Sequence, residues 1–234
     1  MKNTDIEYSI ILPCLNEEKT LGTCIQKIHQ FFSNTELTYE IIVADNGSTD
    51  NSALIAQNNR ADVVQVKVKG YGSALRHGIA HCNGKYIIMG DADDSYNFLE
   101  LSLFVERLQE GYDMVMGNRF SGGITKGAMP WLHRYIGNPF LSSLGRFLFK
   151  NNIGDFHCGL RAFTKECYDI IKPQCNGMEF ASELVALASI HQMHICEIPV
   201  ILYPDGRKRK AHLRSWRDGF RHIVLLYSLY LLRN

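Results

Sequence analysis

The sequence lacks the cysteine pattern of a disulfide-stabilised domain. It has seven cysteines, an odd number, with no C-x-x-C pair and no regular spacing. Cysteines placed in this way are typical of buried thiols in a reducing compartment. Residues 1–5 also lead straight into a strand-like apolar segment, without the apolar stretch of a secretory signal peptide. We therefore expect a cytosolic protein.

Neither sign of charge is in excess along the chain. The sequence has 25 Lys and Arg against 24 Asp and Glu, for a formal net charge of +1. A surface that coats nucleic acid needs a large positive excess, so we expect no nucleic-acid partner. The basic residues are nevertheless uneven, because seven of them lie within residues 207–221. Internal repeats and low-complexity segments are also lacking.

What is present is an alternation of apolar strand patterns and amphipathic helix patterns. Strands are predicted at residues 8–12, 39–44, 63–68, 85–90 and 113–117, with helices at 21–32, 49–59, 71–81 and 101–108 between them. Parallel strands need crossover connections, so this order predicts an α/β fold with a central, mostly parallel sheet flanked by helices. A chain of 234 residues that is 46% hydrophobic suits one large domain of this class.

Five loops leave the carboxyl ends of the predicted strands, where ligands bind in open α/β sheets. They read PCLNEE, DNGSTD, KGYG, DADD and NRF, in chain order. The first brings Asn16 and Glu17, the third brings glycines that let backbone approach a ligand, and the last brings Arg119. These loops are expected to converge on one rim that resembles a nucleotide site.

Three aspartates follow the fourth predicted strand within four positions. Asp91 and Asp93 can both reach one divalent cation, and Mg²⁺ or Mn²⁺ takes oxygen ligands that it shares with substrate phosphates. A purely structural alternative is that D-x-D forms a turn, with Asp94 and Ser95 capping the next helix. The neighbouring loops favour a metal site.

Two other patterns resemble known binding motifs, but each lacks a residue that the motif requires. Gly70 and Gly72 imitate a dinucleotide fingerprint, but Leu75 occupies the third glycine position and the motif follows the third strand. His77 and His81 have the i, i+4 spacing of zinc ligands, but the segment lacks the glutamate of H-E-x-x-H. Surface or core histidines are expected there.

Five ordered motifs carry a family resemblance. SIILPCLNEEKTL, EIIVADNGSTDNS, KGYGSALRHGI, IIMGDADDSY and GNRF resemble the family 2 glycosyltransferases of GT-A fold, and among them the dolichyl-phosphate mannose synthase-like polyprenyl-phosphate glycosyltransferases. The resemblance covers nearly the whole chain. It continues through DFHCGLRAF (155–163), GMEFASEL (177–184) and EIPVILYPDGRKRK (197–210).

The resemblance implies roles for individual residues. The donor nucleotide-sugar would be bound by Pro13, Leu15, Asn16, Glu17, Asp45, Gly70, Asp91 and Asp93. Asp91 and Asp93 would serve Mg²⁺ or Mn²⁺ and the diphosphate, and Arg119 would face an acceptor phosphate. Arginine binds phosphate oxygens bidentately, which makes Arg134 and Arg207 further candidates for this role.

The implied reaction is inverting transfer of a hexose from a nucleotide-diphospho-sugar, of GDP-mannose or UDP-glucose type, to polyprenyl or dolichyl phosphate. A phosphate monoester, with a second pKa of roughly 6, is already ionised and needs no general base. A family member with a soluble saccharide or other hydroxyl acceptor would need one, and Glu179 or Glu183 could serve; alternatively, these residues only support a helix start. A catalytically idle nucleotide-binding scaffold is the non-enzyme alternative.

The C-terminal segment points to a membrane surface. Its basic residues precede the apolar run IVLLYSLYLL, as suits the anionic cytoplasmic face of a membrane. Spanning a bilayer takes roughly twenty apolar residues, so either this segment lies on the membrane, or the chain continues into a transmembrane region, or an ordinary helix packs on the sheet. We therefore divide the chain into a catalytic domain, 1–212, and a C-terminal helix, 213–234. Trp131, Tyr135 and Phe140 could also enter the interface, or pack in the core.

Overall fold

The computed structural model describes residues 6–207 and 215–233. The strands are β1 Tyr8–Cys14, β2 Tyr39–Asp45, β3 Asp62–Gln65, β4 Tyr86–Met89, β5 Met114–Asn118, β6 Arg161–Thr164 and β7 Ile195–Pro199. The α-helices are α1 Leu21–Ser33, α2 Ser52–Asn58, α3 Tyr71–Ala80, α4 Ser102–Gln109, α5 Arg119–Gly122, α6 Asn138–Phe149, α7 Lys165–Ile171, α8 Phe180–Ile190 and α9 Ser215–Arg233. A π-helical turn, His133–Gly137, precedes α6.

The described strands form one sheet of order β3-β2-β1-β4-β6-β5-β7. All neighbouring pairs are parallel except those made by β6, which runs antiparallel to β4 and to β5. Ile10 of β1 pairs with Ile41 of β2 on one side and Ile88 of β4 on the other. The predicted class, a mostly parallel sheet flanked by helices, is confirmed, and β6 and β7 are strands beyond the five that were predicted.

Continuous apolar runs formed these strands because the central sheet is covered on both faces. One face packs Ile10 and Val43 against α1 and α4. The other packs Ile11 and Ile42 against α3 and α8. Successive strand residues point to opposite faces, so each run supplies both apolar layers. The sheet is thereby fixed beneath the loops at its carboxyl edge.

The third strand is shorter than the sequence predicted. Regular pairing with β2 ends at Gln65, whereas residues 63–68 were expected to form the strand. The side-chain amide of Asn46 donates to the carbonyl of Val66 (3.1 Å) and to that of Val68 (2.8 Å). Because these carbonyls bond to a side chain instead of a strand, the chain leaves the sheet early and turns toward Gly70.

All seven cysteines lie among the described residues, and none of them forms a disulfide. Cys14, Cys24, Cys158 and Cys167 are buried and the other three are partly buried. Burial raises the pKa of the Cys158 thiol to about 12, which keeps it protonated and unreactive at neutral pH. Most of these thiols therefore lie inside the fold, as expected for buried cysteines.

Helix α9 packs against α6 and α8. Leu226 of α9 is fully buried in a small apolar cluster with Leu148, Phe149 and Ala186. Within residues 6–207 and 215–233, no helix is both long and apolar enough to cross a membrane. The predicted boundary at residues 212 and 213 lies outside the described residues, as do Lys208, Arg209, Lys210 and Arg214 and the side chain of Arg217.

Candidate functional site

A cavity of about 310 Å³ opens at the carboxyl edge of the sheet. Charged side chains from several segments line it, among them Asp91, Asp93, Arg119 and Arg207, with Arg161 and Asp205 beside them. Asp91 and Asp93 follow β4, and Arg119 begins α5 directly after β5. The structure therefore brings together two predicted metal-binding carboxylates and two predicted phosphate-binding arginines.

The two carboxylates are held by different groups. The Tyr71 hydroxyl donates to Asp91 Oδ1 at 3.1 Å, and the backbone N–H of Ser95 donates to Asp93 Oδ1 at 3.1 Å. Burial, followed by the nearby charge of Asp93, raises the pKa of Asp91 to about 6. A Cβ at Gly159 would lie 2.2 Å from Asp91 Oδ2, so only glycine leaves room for this carboxylate. The pair is crowded and favours a cation.

Arg207 supplies positive charge to this end of the cavity. Its guanidinium lies 2.9 Å from Asp93, 3.2 Å from Glu17 and 3.2 Å from Asp205. Burial disfavours the charged guanidinium, but Asp93 and the other carboxylates outweigh it and raise the pKa of Arg207. Arg207 thus joins the predicted donor loop after β1 to the predicted metal carboxylates.

Arg119 lies at the cavity wall in a buried ion pair with Asp155. Its Nε and Nη2 atoms donate to the two oxygens of the carboxylate at 2.7 and 2.8 Å, and its backbone N–H donates to Oδ2 at 3.1 Å. Burial opposes the charge of Arg119, yet Asp155 raises its pKa well above the usual value. Asp155 occupies the Nε and Nη2 edge of the Arg119 guanidinium. Only the other N–H groups of this guanidinium can therefore bind a phosphate.

Arg134 is placed differently from the other candidate arginines. It lies on the π-helical turn, and its Nη1 donates to the Ile124 carbonyl at 3.4 Å. Its guanidinium also lies 5.4 Å from the ring centre of Tyr135. Among the described residues that line the cavity, the turn contributes His133 and Gly137 but not Arg134.

The predicted donor loops after β1 and β2 are bonded to each other beside the cavity. The backbone N–H of Asn16 donates to Ser48 Oγ at 2.8 Å, and Asn16 Oδ1 accepts from the N–H of Thr49 at 2.7 Å. Asn16 has a positive φ of 58°, which asparagine tolerates better than most residues. Pro13 and Leu15 are partly buried on either side of Cys14. The two loops thus form one ledge.

Asp45 and Gly70 complete this ledge. The Asp45 carboxylate is buried and accepts from the N–H of Ser48 (2.8 Å) and from the Gln65 amide (3.0 Å). Gly70 has a φ of 134°, and a Cβ there would lie 2.1 Å from the Asn176 carbonyl oxygen. In this structure the chain itself needs that glycine, because residue 176 passes against it.

The helix-capping alternative for the aspartate loop is wrong. Asp94 forms an ion pair with Lys27 at 2.7 Å, and α4 begins only at Ser102. The two histidines with zinc-like spacing bond to their own helix, since His77 Nδ1 contacts the Ser73 carbonyl and His81 Nδ1 contacts the His77 carbonyl. Nowhere in the described chain do three or more His, Cys, Asp or Glu side chains form a metal-binding group.

The two glutamates considered as bases have other contacts. Glu183 accepts the backbone N–H groups of Gln174 (2.9 Å) and Cys175 (2.7 Å), so it fixes the loop before α8. Glu179 forms an ion pair with Arg221 of α9. The cavity lining within the described residues includes Met178 and Ala181 but neither glutamate.

The segment DFHCGLRAF (155–163) supplies residues of the cavity wall that had no predicted role. Arg161 is 1% exposed and donates to the carbonyls of Phe156, Cys158 and Ala181 at 2.8 to 3.1 Å. Tyr96 also lines the cavity, and its hydroxyl accepts the N–H of Gly159 at 2.9 Å. The dense run of polar and small residues in this motif is the feature of the sequence that could have indicated a position in the cavity wall.

Comparison with solved structures supports the fold. The chain resembles glucosyl-3-phosphoglycerate synthase from Mycobacterium tuberculosis, in complex with Mn²⁺, uridine diphosphate and glucosyl-3-phosphoglycerate, with a TM-score of 0.74 and 23% identity. The match covers 96% of this chain and 80% of that one. The expected GT-A fold is confirmed.

Comparison of sequences identifies relatives. The chain is 37% identical over 216 residues to the low-salt glycan biosynthesis hexosyltransferase Agl6 of Haloferax volcanii, covering 92% of this chain but 52% of that protein, so it spans about half of this relative's length. It is 29% identical to a dolichyl-phosphate hexose transferase of the same organism, covering 83% of this chain and 82% of that one. The family sequence model described as Glycosyl transferase family 2 matches residues 9–171. The chain therefore belongs to glycosyl transferase family 2.

Proposed function

We propose that the protein transfers a hexose, with inversion, from a nucleotide-diphospho-sugar to a polyprenyl or dolichyl phosphate. The observation that carries this proposal is the cavity in which a carboxylate pair, Asp91 and Asp93, faces two arginines, Arg119 and Arg207. Carboxylates suit a metal-bound diphosphate, and arginines suit a second phosphate. The names of the hexosyltransferase relatives support the same reaction class.

The residues present fit a divalent cation. Asp91 and Asp93 offer carboxylate oxygens at the cavity wall, and burial, followed by the nearby charge of Asp93, raises the pKa of Asp91, both of which a bound cation would offset. Mg²⁺ or Mn²⁺ bound there would stabilise charge on the leaving diphosphate. The ledge formed by Asn16, Asp45 and their neighbours would then hold the nucleoside beside the metal.

The acceptor is proposed to be a phosphate because the nearby glutamates have other contacts. Glu183 binds two backbone N–H groups and Glu179 binds Arg221, so neither is placed as a general base at the cavity. An ionised phosphate oxygen can attack the anomeric carbon without losing a proton. Arg119 and Arg207 would align that phosphate on the face opposite the leaving group.

Exposed apolar side chains support a membrane surface for the lipid acceptor. Beside the cavity mouth, Trp131, Tyr135 and Phe140 are each more than half exposed, and Phe147 is 81% exposed. On α9, Phe220 is 67% exposed. Exposed aromatic residues in such numbers suit a lipid interface. We propose that this side of the catalytic domain lies on the cytoplasmic face of a membrane, with residues 213–234 as its C-terminal helix.

A labelled-sugar assay tests the proposal. The protein is incubated with a panel of labelled nucleotide-sugars, Mg²⁺ or Mn²⁺ and polyprenyl phosphate, and label in the organic phase is counted. One donor should label the lipid, and the Asp93→Asn variant should not. Label on a soluble saccharide only would favour the hydroxyl-acceptor alternative, and nucleotide binding without transfer to any acceptor would favour the scaffold.

A further inference from the structure

A chain of three side chains connects the cavity wall to the C-terminal helix. His157 and His222 both line the cavity, and His157 contacts Ser182 Oγ through Nε2 at 2.9 Å. Ser182 Oγ in turn contacts Nδ1 of His222, on α9, at 2.7 Å. Ser182 is fully buried and His222 is 5% exposed. Short contacts between buried polar groups are strong and oriented, so this connection constrains the ring of His157.

The neighbouring residue on α9 strengthens the connection. Arg221 forms an ion pair with Glu179, which directly precedes α8. Two successive residues of α9 thus bind two residues, Glu179 and Ser182, at the start of one helix. Together with the apolar contact of Leu226, this arrangement fixes where the C-terminal helix sits relative to the cavity.

The hydrogen bonds that join His157, Ser182 and His222 can have two arrangements of their hydrogens. A serine hydroxyl donates only one hydrogen, so Ser182 donates to one imidazole nitrogen and must accept from the other. If Ser182 donates to His222, then His157 carries its proton on Nε2. If Ser182 donates to His157, then His157 carries its proton on Nδ1. The protonation of His222 therefore sets the tautomer of His157.

The surroundings of His157 favour the first arrangement. Its Nδ1 is screened from solvent and has no hydrogen-bond partner among the described residues, and a buried lone pair without a partner is better tolerated than a buried N–H. Burial, followed by His222, Arg119 and Arg161, lowers the pKa of His157 well below its ordinary value. Nearby guanidinium groups also attract a lone pair and repel an N–H dipole.

We propose that His222 is a positioning residue of the active site, which acts through Ser182 to hold His157, in the cavity wall, as its Nε2–H tautomer. The C-terminal helix thereby completes the cavity wall. The inference rests on the proposed function for its kinetic consequence. The tautomer itself is a property of the protein alone.

The variants keep or remove single polar atoms. His222→Asn retains a polar atom at the δ position and can still accept from Ser182, whereas His222→Phe retains a ring and cannot. Ser182→Thr keeps the hydroxyl and Ser182→Ala removes it. His191, at the end of α8, is exposed, and His191→Gln is the matched control. Thermal unfolding of every variant is measured first, so that a folding defect is recognised.

The kinetic measurement compares, at positions 222 and 182, the variant that keeps the polar atom with the variant that removes it. His222→Phe and Ser182→Ala should each lower kcat/KM for transfer about tenfold, the effect of one lost oriented hydrogen bond. His222→Asn, Ser182→Thr and the control should stay within about twofold of the wild type. Wild-type kinetics in His222→Phe, or equal losses in the Asn and Phe variants, would overturn the proposal. So would losses that only follow a fall in Tm.

A spectroscopic readout does not depend on catalysis. Long-range ¹H–¹⁵N spectra of histidine-labelled protein report the tautomer of each imidazole, and the His157→Gln variant assigns the signals of His157. The wild type should show the Nε2–H form, and His222→Phe should convert it to a mixture. An Nδ1–H form in the wild type, or an unchanged spectrum in His222→Phe, would overturn the proposal. If no acceptor is glycosylated, the proposed function fails while these spectra still decide the coupling.

Discussion

The guanidinium of Arg207 lies 2.9 Å from the carboxylate of Asp93, so a residue expected to bind phosphate neutralises a residue expected to bind metal. The same guanidinium lies 3.2 Å from Glu17. A divalent cation would compete with Arg207 for Asp93. This relationship makes the behaviour of Arg207 informative about the whole site.

Arg207→Gln should separate binding from turnover. Removing the guanidinium frees Asp93, so Mn²⁺-dependent binding of the nucleoside diphosphate should be equal to that of the wild type or a few-fold tighter. Transfer should fall at least about tenfold because a phosphate-binding charge is lost. Calorimetric titration and initial rates measure the two effects. Parallel losses in both would show that Arg207 mainly supports the donor loop.

Asp93→Asn should remove metal-dependent binding. The amide keeps the size of the side chain but loses the charge that acts through the cation. Donor binding by the variant should then be weak and no longer respond to Mg²⁺ or Mn²⁺, and transfer should be lost. Asp94→Asn, at the neighbouring residue paired with Lys27, is the control and should keep metal dependence. Full wild-type activity in EDTA would contradict the prediction.

Arg119→Lys should lower turnover at every salt concentration. Lysine keeps the charge but cannot make the two parallel bonds to Asp155, and bulk ions screen a buried pair weakly. We expect a loss of stability of about 1–3 kcal/mol as well, because hydrogen bonds to the buried Asp155 carboxylate are lost. Rates and unfolding curves at low and high salt provide the check. A rate loss that high salt abolishes would place the effect at an exposed surface charge instead.

Asp91→Asn should stabilise the metal-free protein at neutral pH. The pKa of Asp91 is raised from 3.8 to about 6, so the folded state holds its proton more tightly than the unfolded state. The stability of the wild type should therefore fall as pH rises from about 4 to about 6 and level off above, costing up to about 3 kcal/mol. The variant should lack this slope. Urea unfolding in EDTA at several pH values measures it.

The sequence by itself determined the strand-helix order and the composition of the rim. Apolar runs such as residues 8–12 and 39–44 can be buried on both faces only in a covered parallel sheet, and loops after parallel strands must share one edge. The convergence of Asp91, Asp93 and Arg119 on one cavity followed from that geometry.

Tertiary structure alone decided which partners those side chains meet. Asp155 follows Arg119 by 36 positions and Glu17 precedes Arg207 by 190, and no local periodicity encodes such contacts. The insertion of antiparallel β6 between β4 and β5 brings the 155–163 motif to the cavity wall. Likewise, the packing of α9 on α8 brings His222 to Ser182, because burial of Leu226 fixes a helix whose own sequence pattern leaves its location open.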